Sequence, residues 1–96
     1  MTVEDKALWQ SIWVERGNFS EVSGMYLPYW KPIYFSHLVS KGAREDLRLY
    51  PYNIVLMTEQ EHILWENHKH KLVNNPKWTW VFARYERIKS LKIRKL

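Results

Sequence analysis

Apolar positions in the first part of the chain fall at helical spacing. Leu8, Trp9, Ile12 and Trp13 form one stripe in a segment that opens at Thr2 and closes at Gly17. Thr2 is the expected N-cap, because its hydroxyl can accept from an unpaired amide of the first turn, and Glu4 and Asp5 add negative charge where the helix dipole favours it. From Asn18 to Pro32 the period is lost, and Gly24, Pro28 and Pro32 punctuate short polar and aromatic pieces, which predicts a turn-rich hairpin or knuckle. Ile33 to Val39 is β-branched and aromatic, as a short strand should be, with His37 near its far end. Ser40 to Tyr52 reads as a long connection with turn residues Gly42 and Pro51, and connections of that length often carry function.

Ile54 to Met57 is a compact apolar run that fits a second, buried strand. Thr58 and Glu61 then have the spacing of a capping box, opening a helix predicted to run to about Leu72, with His68 and His70 on a solvated basic face. Asn75 and Pro76 supply a cap and a first-turn proline for a last helix over about 76–93, whose stripe of Trp78, Val81, Phe82, Tyr85, Ile88 and Leu91 is expected to pack into the core. No repeat or linker interrupts the pattern, so residues 1–96 read as a single α+β domain.

Composition narrows the function classes. Apolar residues make up 46% of the chain and six Trp are present, enough to fill a core at this size. No run approaches the roughly 18 apolar residues of a membrane span, and the N-terminal segment lacks the order of a secretory signal, so no membrane partner and a cytoplasmic location are expected. With no cysteine, disulfides, thiolate ligands and cysteine nucleophiles are excluded, and any metal must be held by His, carboxylate, amide or hydroxyl groups. Fifteen Lys and Arg against ten acidic residues give a net charge of +5, which suits a polyanionic partner. The addresses of that charge are Lys41, Arg44 and Arg48 in the long connection, and Arg84, Arg87, Lys89, Lys92, Arg94 and Lys95 on the last helix and its tail.

The residues best suited to chemistry are His37 and Asn53, one at each strand, and His62 and Glu66 on the following helix. His62 and Glu66 are four positions apart and share a helical face, a spacing at which both can bind one divalent cation. Metal-assisted phosphodiester cleavage needs a base for water, a cation for the phosphate charge and donors for the backbone; these residues and the cationic connection can supply all three.

The run Ser36-His37-Leu38-Val39-Ser40-Lys41-Gly42-Ala43-Arg44, then Leu47-Arg48, Asn53-Ile54-Val55-Leu56 and His62, resembles the HNH endonucleases, in particular compact phage-encoded members. The resemblance covers about residues 19–72. It implies a ββα-metal core with flanking N- and C-terminal helices, and a divalent-metal-dependent DNA endonuclease with Mg²⁺ or Mn²⁺ as the favoured ion and Ni²⁺ or Zn²⁺ as substitutes. Position by position, it implies His37 as the general base, Asn53 as the residue positioning the base-bearing loop or contacting the metal, and His62 as a metal ligand. Glu66 stands where a further His is often found, and Ser36 replaces the His or Asp ligand that usually precedes the base. Lys41, Arg44, Arg48, Arg84 and Arg87 would then contact nucleic acid, with Arg48 or Arg44 holding the phosphate. DNA is the implied partner, in a bacterial or phage-infected cell, for a monomer or homodimer. Ser20-Glu21-Val22-Ser23 resembles the family's Cys-x-x-Cys knuckle with serine at both cysteine positions, so no structural zinc is expected and aromatic packing from Tyr26, Tyr29 and Trp30 is expected to hold the segment. The alternatives are a non-catalytic nucleic-acid-binding protein on a degenerate HNH scaffold and a protein-interaction module using exposed aromatics.

Overall fold

A computed structural model describes residues 1–92. Ile93, Arg94 and Lys95, where the predicted last helix and its basic tail end, lie outside the described residues. The chain is a small α+β fold with three α-helices and one two-stranded antiparallel sheet among the described residues. No described helix is long and apolar enough to cross a membrane.

Helix α1 spans Val3–Arg16. Its start is a reciprocal capping box: the Thr2 hydroxyl accepts from the Asp5 amide and the Asp5 carboxylate accepts from the Thr2 amide, both at 3.0 Å. Gly17 closes it at φ 82°, a left-handed value that a side chain would strain. Trp9 and Ile12 of α1 are buried with Leu27, Tyr34, Phe35, Ile54 and Leu56, and Trp9 stacks on Phe35 at 5.3 Å.

Strands β1 (Phe35–His37) and β2 (Ile54–Leu56) pair with Phe35 opposite Leu56, Ser36 opposite Val55 and His37 opposite Ile54. Both are shorter than the sequence predicts, for identifiable reasons. Before β1, Pro32–Tyr34 forms a 3₁₀ turn, so that Ile33 stays out of the ladder and Tyr34 joins it only through its carbonyl, which accepts from the Met57 amide. After His37, the Leu38 amide still donates to the Asn53 carbonyl, but pairing ends there because the facing residues are wound into a turn; the Val39 amide, which points away from β2 in this register, is taken by the Asn53 side chain. Asn53 itself closes a 3₁₀ turn, Pro51–Asn53, just ahead of β2. Successive residues of β2 alternate between two core clusters. Ile54 and Leu56 join the α1 cluster, while Val55 and the next odd residue, Met57, join a cluster with Leu38, Leu47, Trp65, Trp78, Val81 and Ile88.

Helix α2 spans Glu59–Asn67 and opens with the predicted capping box of Thr58 and Glu61. It stops short of the expected Leu72. No apolar residue follows Trp65 at the next three or four positions, so the next turn of a continued helix would bury nothing. Instead His68 caps the helix and Lys69–Lys71 forms a separate 3₁₀ turn, which sets the Lys69 ammonium 4.5 Å from the Trp65 ring and returns Leu72 to the core. His68 and His70 therefore lie off α2, with ring centroids 6.2 Å apart. Helix α3 spans Thr79–Lys89 after a 3₁₀ turn, Pro76–Trp78, capped by the Asn75 side chain. Trp65 anchors the second cluster: it stacks on Trp78 at 6.0 Å, meets Phe82 and Tyr85 at 5.2 Å, and donates its indole N–H to the Leu38 carbonyl.

The serine knuckle is held by polar contacts together with part of the expected aromatic packing, since Tyr26 meets the Phe19 ring at 5.7 Å across it. Tyr26 and Tyr29 are exposed, and Trp30 alone of the three packs inward, against Phe35 at 5.7 Å. The buried Ser20 hydroxyl donates to Glu61 Oε1 at 2.6 Å and accepts from the Val22 and Ser23 amides at 3.1 Å. Glu21 extends the attachment, since its amide donates to the Leu56 carbonyl and its carboxylate accepts from the Leu56 amide.

Candidate functional site

The end of β1, the start of the long connection and one face of α2 enclose a cavity of about 360 Å³ lined by Trp9, Phe35, His37, Ser40, Lys41, His62 and Glu66. Three of the residues assigned to chemistry from the sequence, His37, His62 and Glu66, thus face one space together with Lys41. Asn53, Ser36, Arg44, Arg48, Arg84 and Arg87 do not line it.

His37 is half-buried, and its Nε2 lies 2.9 Å from the Arg48 carbonyl oxygen. A carbonyl oxygen only accepts, so Nε2 carries the hydrogen and Nδ1 of the neutral ring keeps its lone pair. In that tautomer Nδ1 is the nitrogen available to accept a proton. The carbonyl is fixed through the rest of Arg48, whose guanidinium donates to both Asp5 carboxylate oxygens and to the Thr2 hydroxyl, each at 3.2 Å. Burial alone would raise the Asp5 carboxyl, but the Thr2 amide and hydroxyl with Arg48 and Lys41 outweigh it and hold Asp5 below its ordinary value. The capping box of α1 therefore extends through Arg48 to the imidazole.

Asn53 fixes the same connection from within. Fully buried, it accepts from the Val39 amide at 2.8 Å and donates to the Val39 and Leu47 carbonyls at 3.0 and 3.2 Å. It touches backbone on both sides of Lys41 and Arg44 without reaching the cavity.

His62 is oriented by Ser36, whose buried hydroxyl lies 2.6 Å from His62 Nδ1. When the ring donates from Nδ1 to that hydroxyl, its Nε2 lone pair is free for a ligand, the arrangement by which an outer partner fixes a metal-binding imidazole. Glu66 is exposed, and its charge partly offsets the effect of burial on Lys69, the ammonium of which is lowered overall. Among the described residues no three His, Cys, Asp or Glu side chains come together in a way that would enclose a metal ion. The donors lining the cavity are the imidazoles of His37 and His62, the Glu66 carboxylate and the Ser40 hydroxyl, too open a set to enclose an ion, which suits a largely hydrated ion better than a chelated structural one.

Of the three cations in the long connection, only Lys41 lines the cavity, and it also lines a shallower depression of about 420 Å³ beside Thr2, Gly42, Glu45 and Arg48. Arg44 is a clamp: it forks onto Asp46 at 2.8 and 2.6 Å and donates to the Lys89 and Leu91 carbonyls after α3. Its hydrogen bonding to Asp46 raises the guanidinium above its already high ordinary value. Arg84 and Arg87 lie with Tyr52 and Trp80 around a separate cleft.

Sequence reasoning missed Trp9 as a wall of the cavity and Asp5 as an anchor of the connection whose Arg48 carbonyl meets His37. Both have local explanations, a core stripe and a helix cap, and no local signal for the second task. The Trp9 indole N–H is buried without a hydrogen-bond partner among the described residues. No protein-family model, curated protein or solved structure matches the chain.

Proposed function

We propose that the protein is a divalent-metal-dependent DNA endonuclease of the HNH type, with His37 as the general base. The observation that carries this reading is the His37 tautomer: Nε2 is engaged by the Arg48 carbonyl, and the ring lines the same cavity as His62, Glu66 and Lys41. In the proposed step, His37 Nδ1 takes a proton from water as the water oxygen bonds to phosphorus. The bond to the 3′ oxygen breaks, and protonation of that oxygen leaves 3′-hydroxyl and 5′-phosphate ends. Lys41 would attract and hold the phosphate; Asn53 and Arg48 keep the imidazole in place from behind.

His62 and Glu66, with the Ser36 hydroxyl orienting His62 or adding a weak donor, would hold Mg²⁺ or Mn²⁺, with Ni²⁺ or Zn²⁺ as substitutes. A cation held there would offset negative charge developing on the phosphate. So few protein donors imply that water and the phosphate complete the coordination.

The absence of a three-residue ligand cluster among the described residues favours the second reading, a nucleic-acid-binding protein on this scaffold that does not cut. Incubation of supercoiled plasmid with native protein and Mg²⁺, Mn²⁺ or Ni²⁺, beside His37→Ala, separates the two. Metal-dependent nicking abolished in His37→Ala is the expected result. Equal nicking by both proteins, or none by native protein in any metal, refutes catalysis by His37, and salt-sensitive binding without cutting supports the second reading.

A further inference from the structure

A second cleft, of about 220 Å³, lies where the turn before β2 meets α3, and is lined by Tyr52, Trp80, Ala83, Arg84 and Arg87. It shares no residue with the cavity of His37 and His62. Two of its five lining residues are arginines and none is acidic, so the space itself is strongly cationic.

The two arginines are held differently from the other arginines among the described residues. Arg16, Arg44 and Arg48 each answer a carboxylate. Arg84 makes no ion pair or hydrogen bond among the described residues; its guanidinium carbon instead lies 4.2 Å from the Tyr52 ring centroid and 4.8 Å from that of Trp80. Ring packing of this kind uses the face of the guanidinium and leaves its in-plane N–H donors unspent. Arg87, one helical turn on and exposed, donates to the Tyr52 hydroxyl at 3.3 Å, a long bond that it can give up. The result is a positioned pair of donors, with much of the side-chain freedom of Arg84 already lost before any ligand arrives.

Planar, forked donors match the oxygens of a phosphate, and the cleft is smaller than the roughly 300–1,000 Å³ of ordinary small-molecule pockets. A single phosphate group fits its size and charge. We propose that this cleft binds a backbone phosphate of a nucleic-acid strand through Arg84 and Arg87, as an anchor apart from the cavity of His37. The inference rests on the nucleic-acid partner of the proposed function but not on cleavage.

Fluorescence anisotropy of a labelled single-stranded oligonucleotide in EDTA, where metal-dependent cutting is suppressed, tests it. Arg84→Gln and Arg87→Gln should each weaken binding about three- to tenfold at low salt and lower the salt slope by about 0.7 for each phosphate that is no longer neutralised. Arg84→Lys should recover only part of the affinity, because a point charge replaces a fork. If Arg84→Gln fails to fold, Arg87→Gln decides alone, since Arg87 is exposed. Unchanged affinity and slope in folded variants would overturn the anchor. Plasmid nicking run in parallel keeps the two ideas apart: unchanged oligonucleotide binding with intact nicking defeats the anchor alone, whereas weakened variant binding with no nicking by native protein defeats catalysis alone. Titration with inorganic phosphate and with a nucleoside monophosphate identifies the source of the phosphate. Binding of these small anions by native protein with no oligonucleotide binding would overturn a strand as the ligand.

Discussion

Replacing Asp5 with Asn separates a charge from a shape. The amide oxygen can still accept from the Thr2 amide, so the capping geometry survives, but the ion pair with Arg48 is lost. The Asp5 side chain is 4% exposed and that of Arg48 is 22% exposed, so the pair is shielded from water more than an ordinary surface pair. A hydrogen bond to a charged group in such a setting contributes about 1.5–3 kcal/mol, and Asn recovers part of it; a loss of about 2 kcal/mol at pH 7 is expected. For a domain of this size that corresponds to a fall in Tm of about 8–16 °C. The Asp5 carboxyl is held below its ordinary value, so the folded state binds fewer protons than the unfolded state as the pH falls through about 4. The stabilisation is complete above that pH and disappears as the pH drops through the lowered value. Urea unfolding of both proteins between pH 7 and pH 2 should therefore show a gap that closes in acid, where native Asp5 becomes neutral like Asn. A gap of constant size, or none at pH 7, refutes the ion-pair argument.

Asn53→Ala strands three buried backbone groups, and at about 1–3 kcal/mol for each it should lower stability by at least 3 kcal/mol, read from the urea midpoint. Ser20→Ala removes the hydroxyl that joins the knuckle to Glu61 and should cost about 1–3 kcal/mol, with amide exchange speeding up at Val22 and Ser23 before the rest of the chain. Because that knuckle is tied by hydrogen bonds, thermal unfolding should be unchanged by EDTA; a large fall in Tm on chelation would show that a metal contributes to the fold. Arg48→Ala should free the His37 ring, so that nitrogen NMR detects both neutral tautomers in place of the Nε2–H form alone; a spectrum unchanged from native would mean that the backbone carbonyl keeps its place without the guanidinium.

The parts of this fold that were legible in the sequence are those fixed within about four residues. Thr2 with Asp5 and Thr58 with Glu61 cap their helices as their spacing requires, and Gly17 closes α1. His62 and Glu66, four positions apart on α2, line one cavity as residues on one helical face can; that His37 and Lys41 join them is set by tertiary packing. The fates of the arginines were not legible. Arg44 and Arg48 occupy a loop that reads as free positive charge, yet Arg48 meets a carboxylate 43 positions away and Arg44 meets a carbonyl 47 positions away. Charge counting treats each cation as available, whereas the fold uses two as internal struts and leaves Lys41 facing the cavity. Strand length was illegible for a similar reason: Val39 has the composition of a strand residue, but the segment that would have to face it, Pro51–Asn53, is wound into a 3₁₀ turn.

Helix α1 is fastened to the middle of the chain at both ends. Asp5 meets Arg48 near its start; near its end Arg16 donates to the carbonyls of Pro51 and Ile54 and pairs with Glu21. Between these ties, Trp9 forms a wall of the cavity and stacks on Phe35. The stretch carrying the motif is consequently not a portable cassette. A graft of residues 19–72 into another scaffold would carry His37 and His62 but leave behind the wall beside them and the brace behind the imidazole. The smallest transplantable unit must begin at the cap of α1.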